Sequence, residues 1–150
     1  MKHQMNSELV RIYEFREMKI PTTHKPDLLY PELSFKIVGI LFNVDNELGP
    51  GHKEKYYENA VATALRTSGL QYKQQLYVPL QYNGNVVGKY FLDFLVEEKI
   101  VLELKQGDSF SKKNIDQTLS YLKANKLQLG IIAQFTSQGV KYKRIVNLDS

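Results

Sequence analysis

Apolar positions along this chain recur first at helical spacing and then at strand spacing, and the change of period divides it into elements. From about Glu32 to Leu48, Phe35, Val38, Leu41, Phe42 and Asp45 recur three and four residues apart, and Gly49-Pro50-Gly51 ends the predicted helix. A second helix is predicted from about Lys53 to Ser68, stopping at Gly69, with Tyr57, Val61, Ala64 and Leu65 on its core side. Beyond Gly69 the spacing turns to that of strands. Tyr72 to Tyr82, broken by Pro79, joins Val86 to Val96 through Asn83-Gly84-Asn85, a hairpin signal. Ile100 to Lys105 completes a meander. A third helix, about Lys113 to Asn125, places Ile115, Leu119 and Leu122 inward; Gln128 to Phe135 is an apolar strand, and Tyr142 to Asn147 reads as a last, polar edge strand.

This order, α-α-β-β-β-α-β-β, predicts an α/β fold: a mixed sheet flanked by helices, with a right-handed crossover if the strands around the third helix run parallel. Residues 32–150 form one expected domain. Residues 1–31 form a looser arm. Leu9, Ile12, Tyr13 and Phe15 predict a short helix from Glu8 to Met18, and three prolines in IPTTHKPDLLYP break regular structure after it. The arm packs on the body, exchanges between subunits, or is only partly ordered.

Composition narrows the chemistry. A chain of 150 residues can bury a core, and 43% hydrophobic content with abundant Tyr and Phe argues for a folded protein. With no cysteine, disulfides, thiolate zinc sites and cysteine nucleophiles are excluded, which agrees with a reducing cytosol and a cytoplasmic location. No signal-type segment or span of membrane length is present, so no membrane partner is expected. The net charge of +4 leans only mildly towards polyanions.

The stretch from Asp93 to Lys105, DFLVEEKIVLELK, carries the most chemistry. Alternation puts Asp93 on a face with Phe91 and Leu95, and Leu92, Phe94 and Val96 on the other. In the next strand Val101, Glu103 and Lys105 share a face. With Glu97-Glu98-Lys99 as a short turn, Asp93 and Glu103 come near cross-strand distance, with Lys105 further along. An edge strand carrying charges to water is the bland alternative, but the neighbours are apolar on both faces. Buried charges persist when paired, hydrogen-bonded or bound to metal. Two carboxylates and an ammonium suit a hard divalent cation and an attacking water. Glu54 falls on the core side of the second helix, seven residues before Val61, and either aims at the same site or answers the helix dipole.

Helix, meander with Asp, Glu-x-Lys, helix and strand together resemble the PD-(D/E)xK nuclease superfamily. Gly51-His52-Lys53-Glu54-Lys55-Tyr56-Tyr57 further resembles the pattern of the small bacterial GxxExxY proteins. The likeness runs from about Ile37 to Val146. It implies Asp93 and Glu103 as metal-binding carboxylates with the Leu104 carbonyl as a further ligand, Lys105 beside the attacking water, and Glu54 completing the metal site. It also implies Gln117 and Tyr121 as a QxxxY pair facing site and substrate, although polar i,i+4 pairs are common on helix surfaces. The implied cofactor is Mg²⁺ or Mn²⁺, and the implied products are a 5′-phosphate and a 3′-hydroxyl. Two departures stand out: Leu92 occupies the proline position of the superfamily's name, and Phe91 stands where related sequences often carry a basic residue.

Lys73, Lys89, Lys112 and Lys113 are candidate phosphate contacts, with solvated surface lysine the plainer account of each. His3, His24 and His52 show no metal-ligand spacing. Two functions follow from this sequence: a metal-dependent nuclease acting on nucleic acid, DNA before RNA, or a non-hydrolytic nucleic-acid-binding or protein-interaction module on the same fold. A homodimer or a protein partner would help so small a nuclease grip a duplex; a monomeric mass by light scattering at high concentration counts against the dimer.

Overall fold

The computed structural model describes residues 10–15 and 29–148. Helix α1 (Pro31–Leu48) opens on a proline, whose missing N–H is not needed in a first turn, and closes at Gly49. Gly49 has φ 73° and returns its N–H to the Asp45 carbonyl at 2.8 Å. Helix α2 (Glu54–Thr67) follows directly. The meander is β2 (Tyr72–Tyr82), β3 (Asn85–Val96) and β4 (Ile100–Gln106). Helix α3 (Lys112–Ala124) is capped by Ser111, whose hydroxyl accepts from the Asn114 N–H at 3.2 Å, and leads to β5 (Leu129–Thr136) and β6 (Gly139–Asn147).

With β1 (Val10–Phe15) these strands form one six-stranded mixed sheet in the order β1-β6-β5-β4-β3-β2. Among the described strands only β4 and β5 run parallel, and α3 connects them. The fold is therefore the expected α/β arrangement, with two corrections at the far edge. The helix predicted across Glu8–Met18 is replaced at Val10–Phe15 by a strand, antiparallel to β6. Spacing alone did not separate the two, because short apolar runs fit either period and the free edge of β6 supplies the partner. As a result Tyr142–Asn147 is an inner strand, largely buried, and not an edge.

Two apolar clusters cover the two faces. Ile37, Leu41, Tyr57, Val61 and Leu65 of α1 and α2 pack with Phe94, Leu102, Leu104, Ile131 and Phe135. Ile115, Leu119 and Leu122 of α3 pack with Leu76, Val78, Leu92, Val101, Ile132 and Ile145. The α3 face is tight at Gly130, where a Cβ would lie 2.7 Å from Thr118 Cγ2. Residue type matters there.

Alternation holds along β4 but fails on β3, where the expectation needs correcting. Leu92 packs on the α3 face, while Phe94 and Val96 pack on the α1/α2 face. Its cross-strand partner Leu76 switches with it, also lying on the α3 face, whereas Tyr72 packs on the other. The switch falls where Gln75 stands opposite Asp93, and Gln75 has φ 59°, a left-handed conformation rare for a side-chain-bearing residue. The hairpin thus twists sharply at Asp93.

Candidate active site

The β3–β4 ladder has three pairs, Phe94↔Leu102, Leu95↔Val101 and Val96↔Ile100, and the next pair in register is Asp93 with Glu103. There the side chains take over from the backbone. The Asp93 N–H donates to Glu103 Oε1 at 3.0 Å, and the Leu104 N–H donates to Asp93 Oδ2 at 2.8 Å. Each carboxylate thereby satisfies a backbone donor that the splayed strands would leave unpaired, and such groups are seldom left so when buried. Both side chains are buried, Asp93 at 9% exposure and Glu103 at 3%.

Lys105 lies at the mouth of this pair. Its Nζ is 3.4 Å from Glu103 Oε2 and 3.8 Å from Glu54 Oε2, so it links the sheet to the first turn of α2. The structure brings Glu54, Asp93, Glu103 and Lys105 together. Burial raises the Asp93 carboxyl to about 6, with the neighbouring Glu58 and Glu54 charges adding to the rise. Burial, followed by the Asp93 charge, raises Glu103 to about 8. Two carboxyls this close titrate as a pair that retains a proton near neutrality. Burial works to lower the Lys105 ammonium, but Glu103 and Glu54 outweigh it and hold it above its ordinary value.

Glu58 belongs to this site and was not singled out from the sequence. It is buried on α2, one turn after Glu54, and accepts from Gln74 Nε2 at 3.2 Å and Gln75 Nε2 at 3.0 Å, with Lys55 Nζ 3.5 Å away. The signal was present in its position seven residues before Leu65, on the inward stripe. One tyrosine of α2 has a structural role. Tyr57 is fully buried, stacks on Phe135 at 4.1 Å, donates to the Gly49 carbonyl at 2.7 Å and accepts from the His52 N–H at 3.3 Å. It pins the turn between α1 and α2, and with it the start of the helix carrying Glu54. His52 Nε2 lies 2.8 Å from the Leu48 carbonyl at the end of α1.

Tyr121 packs with the α3-face cluster; burial raises the pKa of its phenol, and its charged neighbours are Lys73 on β2 and Glu98 at the β3–β4 turn. Gln117 is half-buried on the same helix, and neither residue is bonded to the carboxylates. Lys73 pairs with Glu98 at 3.1 Å and Lys112 with Asp116 at 2.9 Å. Lys89 lies 5.9 Å from the Phe91 ring and Lys113 5.3 Å from that of Tyr90. Leu104, proposed to lend its carbonyl, is fully buried beside Asp93. His3 and His24 lie outside the described residues.

The donor set suits a hard divalent ion. Among the described residues no group of three or more acidic or imidazole side chains forms a cage. A buried, mutually repelling Asp93/Glu103 pair would offer Mg²⁺ the one or two carboxylates by which it is commonly held. Among the described residues no helix is long and apolar enough to cross a membrane.

A sequence model of the PD-(D/E)XK nuclease superfamily matches residues 31–145, and the chain belongs to that superfamily. No curated protein matches the chain. The chain is similar to a solved structure described as "Crystal structure of SSO0001", with 16% identity, 77% of each chain covered and a TM-score of 0.36, a likeness too slight to inform fold or function.

Proposed function

We propose that this protein is a metal-dependent nuclease that hydrolyses phosphodiester bonds of nucleic acid, DNA before RNA, within the GxxExxY group of its superfamily. The observation that carries this reading is the meeting of Asp93 and Glu103, both buried, at the split between β3 and β4 with Lys105 between Glu103 and Glu54. Asp93 and Glu103 would hold Mg²⁺ or Mn²⁺, with Glu54 and the Leu104 carbonyl as further oxygens. When bound, such an ion lowers the pKa of its water and offsets charge on the scissile phosphate.

The chain's own groups account for the rest. Lys105 keeps its proton because two carboxylates face it, so it places a fixed positive charge where an attacking water loses its proton and phosphate charge builds. The backbone donations to Asp93 and Glu103 orient both carboxylates before anything binds, which spares reorganisation during reaction. Glu58, held by Gln74 and Gln75, adds negative charge behind the pair. Gln117 and Tyr121 are left to contact substrate from α3.

The test is cleavage of labelled single- and double-stranded DNA and RNA with Mg²⁺ or Mn²⁺, beside Lys105→Ala and Asp93→Ala proteins prepared identically. We expect metal-dependent cutting that falls at least about 100-fold in each variant. Cutting that survives both substitutions removes these residues from the mechanism. No cutting under any condition favours the non-hydrolytic module.

A further inference from the structure

From Tyr72 to Leu92 the hairpin carries no Asp or Glu, and its lysines are Lys73 and Lys89. Leu76, Val78 and Leu92 turn into the α3-face cluster, so Tyr77 and Phe91 between them face the opposite side. On that side Tyr77 is 50% exposed and Phe91 45%. The two residues are cross-strand partners, with ring centroids 6.0 Å apart and planes inclined by 58°. Lys89, opposite Pro79, lies over the Phe91 ring at 5.9 Å. Phe91 is two residues from Asp93, about 7 Å along the strand. Tyr77 is two residues from Gln75, which holds Glu58. An exposed aromatic pair with a lysine, on a stretch of hairpin that itself carries no carboxylate, therefore begins where the carboxylate site ends.

A solvent-facing aromatic pair could simply staple the hairpin, since such pairs stabilise sheets. Burial of the two rings would serve that purpose better than half exposure does. Exposed rings beside a cation, within reach of a phosphodiester site, match what unpaired bases need: flat apolar surfaces for stacking and positive charge for the backbone. Paired bases are stacked within a duplex and offer no free faces.

We propose that Tyr77 and Phe91, with Lys89, form a stacking platform for unpaired bases flanking the scissile phosphate, so that the substrate at this site is single-stranded or locally unpaired nucleic acid. This inference rests on the nuclease reading for its adjacency to a scissile phosphate, but the binding it describes is measured separately.

The experiment measures fluorescence anisotropy with a labelled oligothymidine strand and with a duplex of equal length, divalent ions chelated so that nothing is cut. Wild type is compared with Tyr77→Leu, Phe91→Leu and the double variant, whose leucines keep apolar contact across the hairpin and remove the π faces. Single-strand affinity is expected to fall about 5- to 100-fold, with a smaller change on duplex. Photo-crosslinking of an iododeoxyuridine strand to the unaltered protein should label the peptide holding Tyr77 or Phe91, whatever the variants' stability. Unchanged single-strand binding, equal losses on strand and duplex, absent wild-type binding to the strand, or crosslinks elsewhere would each overturn the platform. Ring-dependent binding without cutting in Mn²⁺ would sink the hydrolytic reading and leave the platform standing.

Discussion

Glu103 should be more destabilising than helpful in the metal-free protein at neutral pH. Its carboxyl titrates near 4.5 when solvated and is raised to about 8 in the fold by burial and by Asp93. Between those values the folded state binds more protons than the unfolded one, so stability falls as pH rises through this window. At pH 7 folding must draw a proton onto the pair, which costs about 3 kcal/mol at ~1.4 kcal/mol per pH unit above the ordinary value. Glu103→Gln removes that cost and keeps an amide oxygen for the Asp93 N–H, while losing the contact with Lys105, worth up to about 1 kcal/mol at a partly exposed ammonium. The variant should therefore be about 1–3 kcal/mol more stable than wild type at pH 7.5 with divalent ions chelated, and close to equal at pH 4.5. Urea denaturation across that range reads both. Adding Mn²⁺ should stabilise wild type and leave the variant nearly unmoved. A wild-type stability that does not fall between pH 5 and 8, or a variant less stable at pH 7.5, would refute the electrostatic account of the pair.

Two packing predictions accompany the cleavage and binding tests above. Gly130→Ala drives a Cβ into Thr118 Cγ2 and should destabilise by about 1–3 kcal/mol; adding Thr118→Ser removes the obstructing methyl and should recover most of that loss, which a double-mutant cycle by denaturation would measure. Tyr57→Phe keeps the stack on Phe135 but frees the Gly49 carbonyl and His52 N–H, and should cost about 1 kcal/mol, seen as a fall of roughly 3 °C in Tm.

Much of this protein is legible in its residues one element at a time. Gly49 and Gly69 mark helix ends because stopping a helix is a local matter of φ, positive at both. Asp93 and Glu103 could be matched across a short turn because pairing on one meander is nearly local, and Lys105 followed two residues on. The positions that escaped are those set by partners distant in sequence. Val10–Phe15 becomes a strand because β6 offers an edge some 130 residues later. Tyr142–Asn147 is inner for the same reason. Glu58 looked like one more helical glutamate until Gln74 and Gln75 closed on it, and the change of face at Asp93 comes from a left-handed Gln75 on the neighbouring strand. Periodicity reports which side of an element is apolar. Which charged group stays buried, and beside what, depends on desolvation and on hydrogen bonds that exist only once the strands have met.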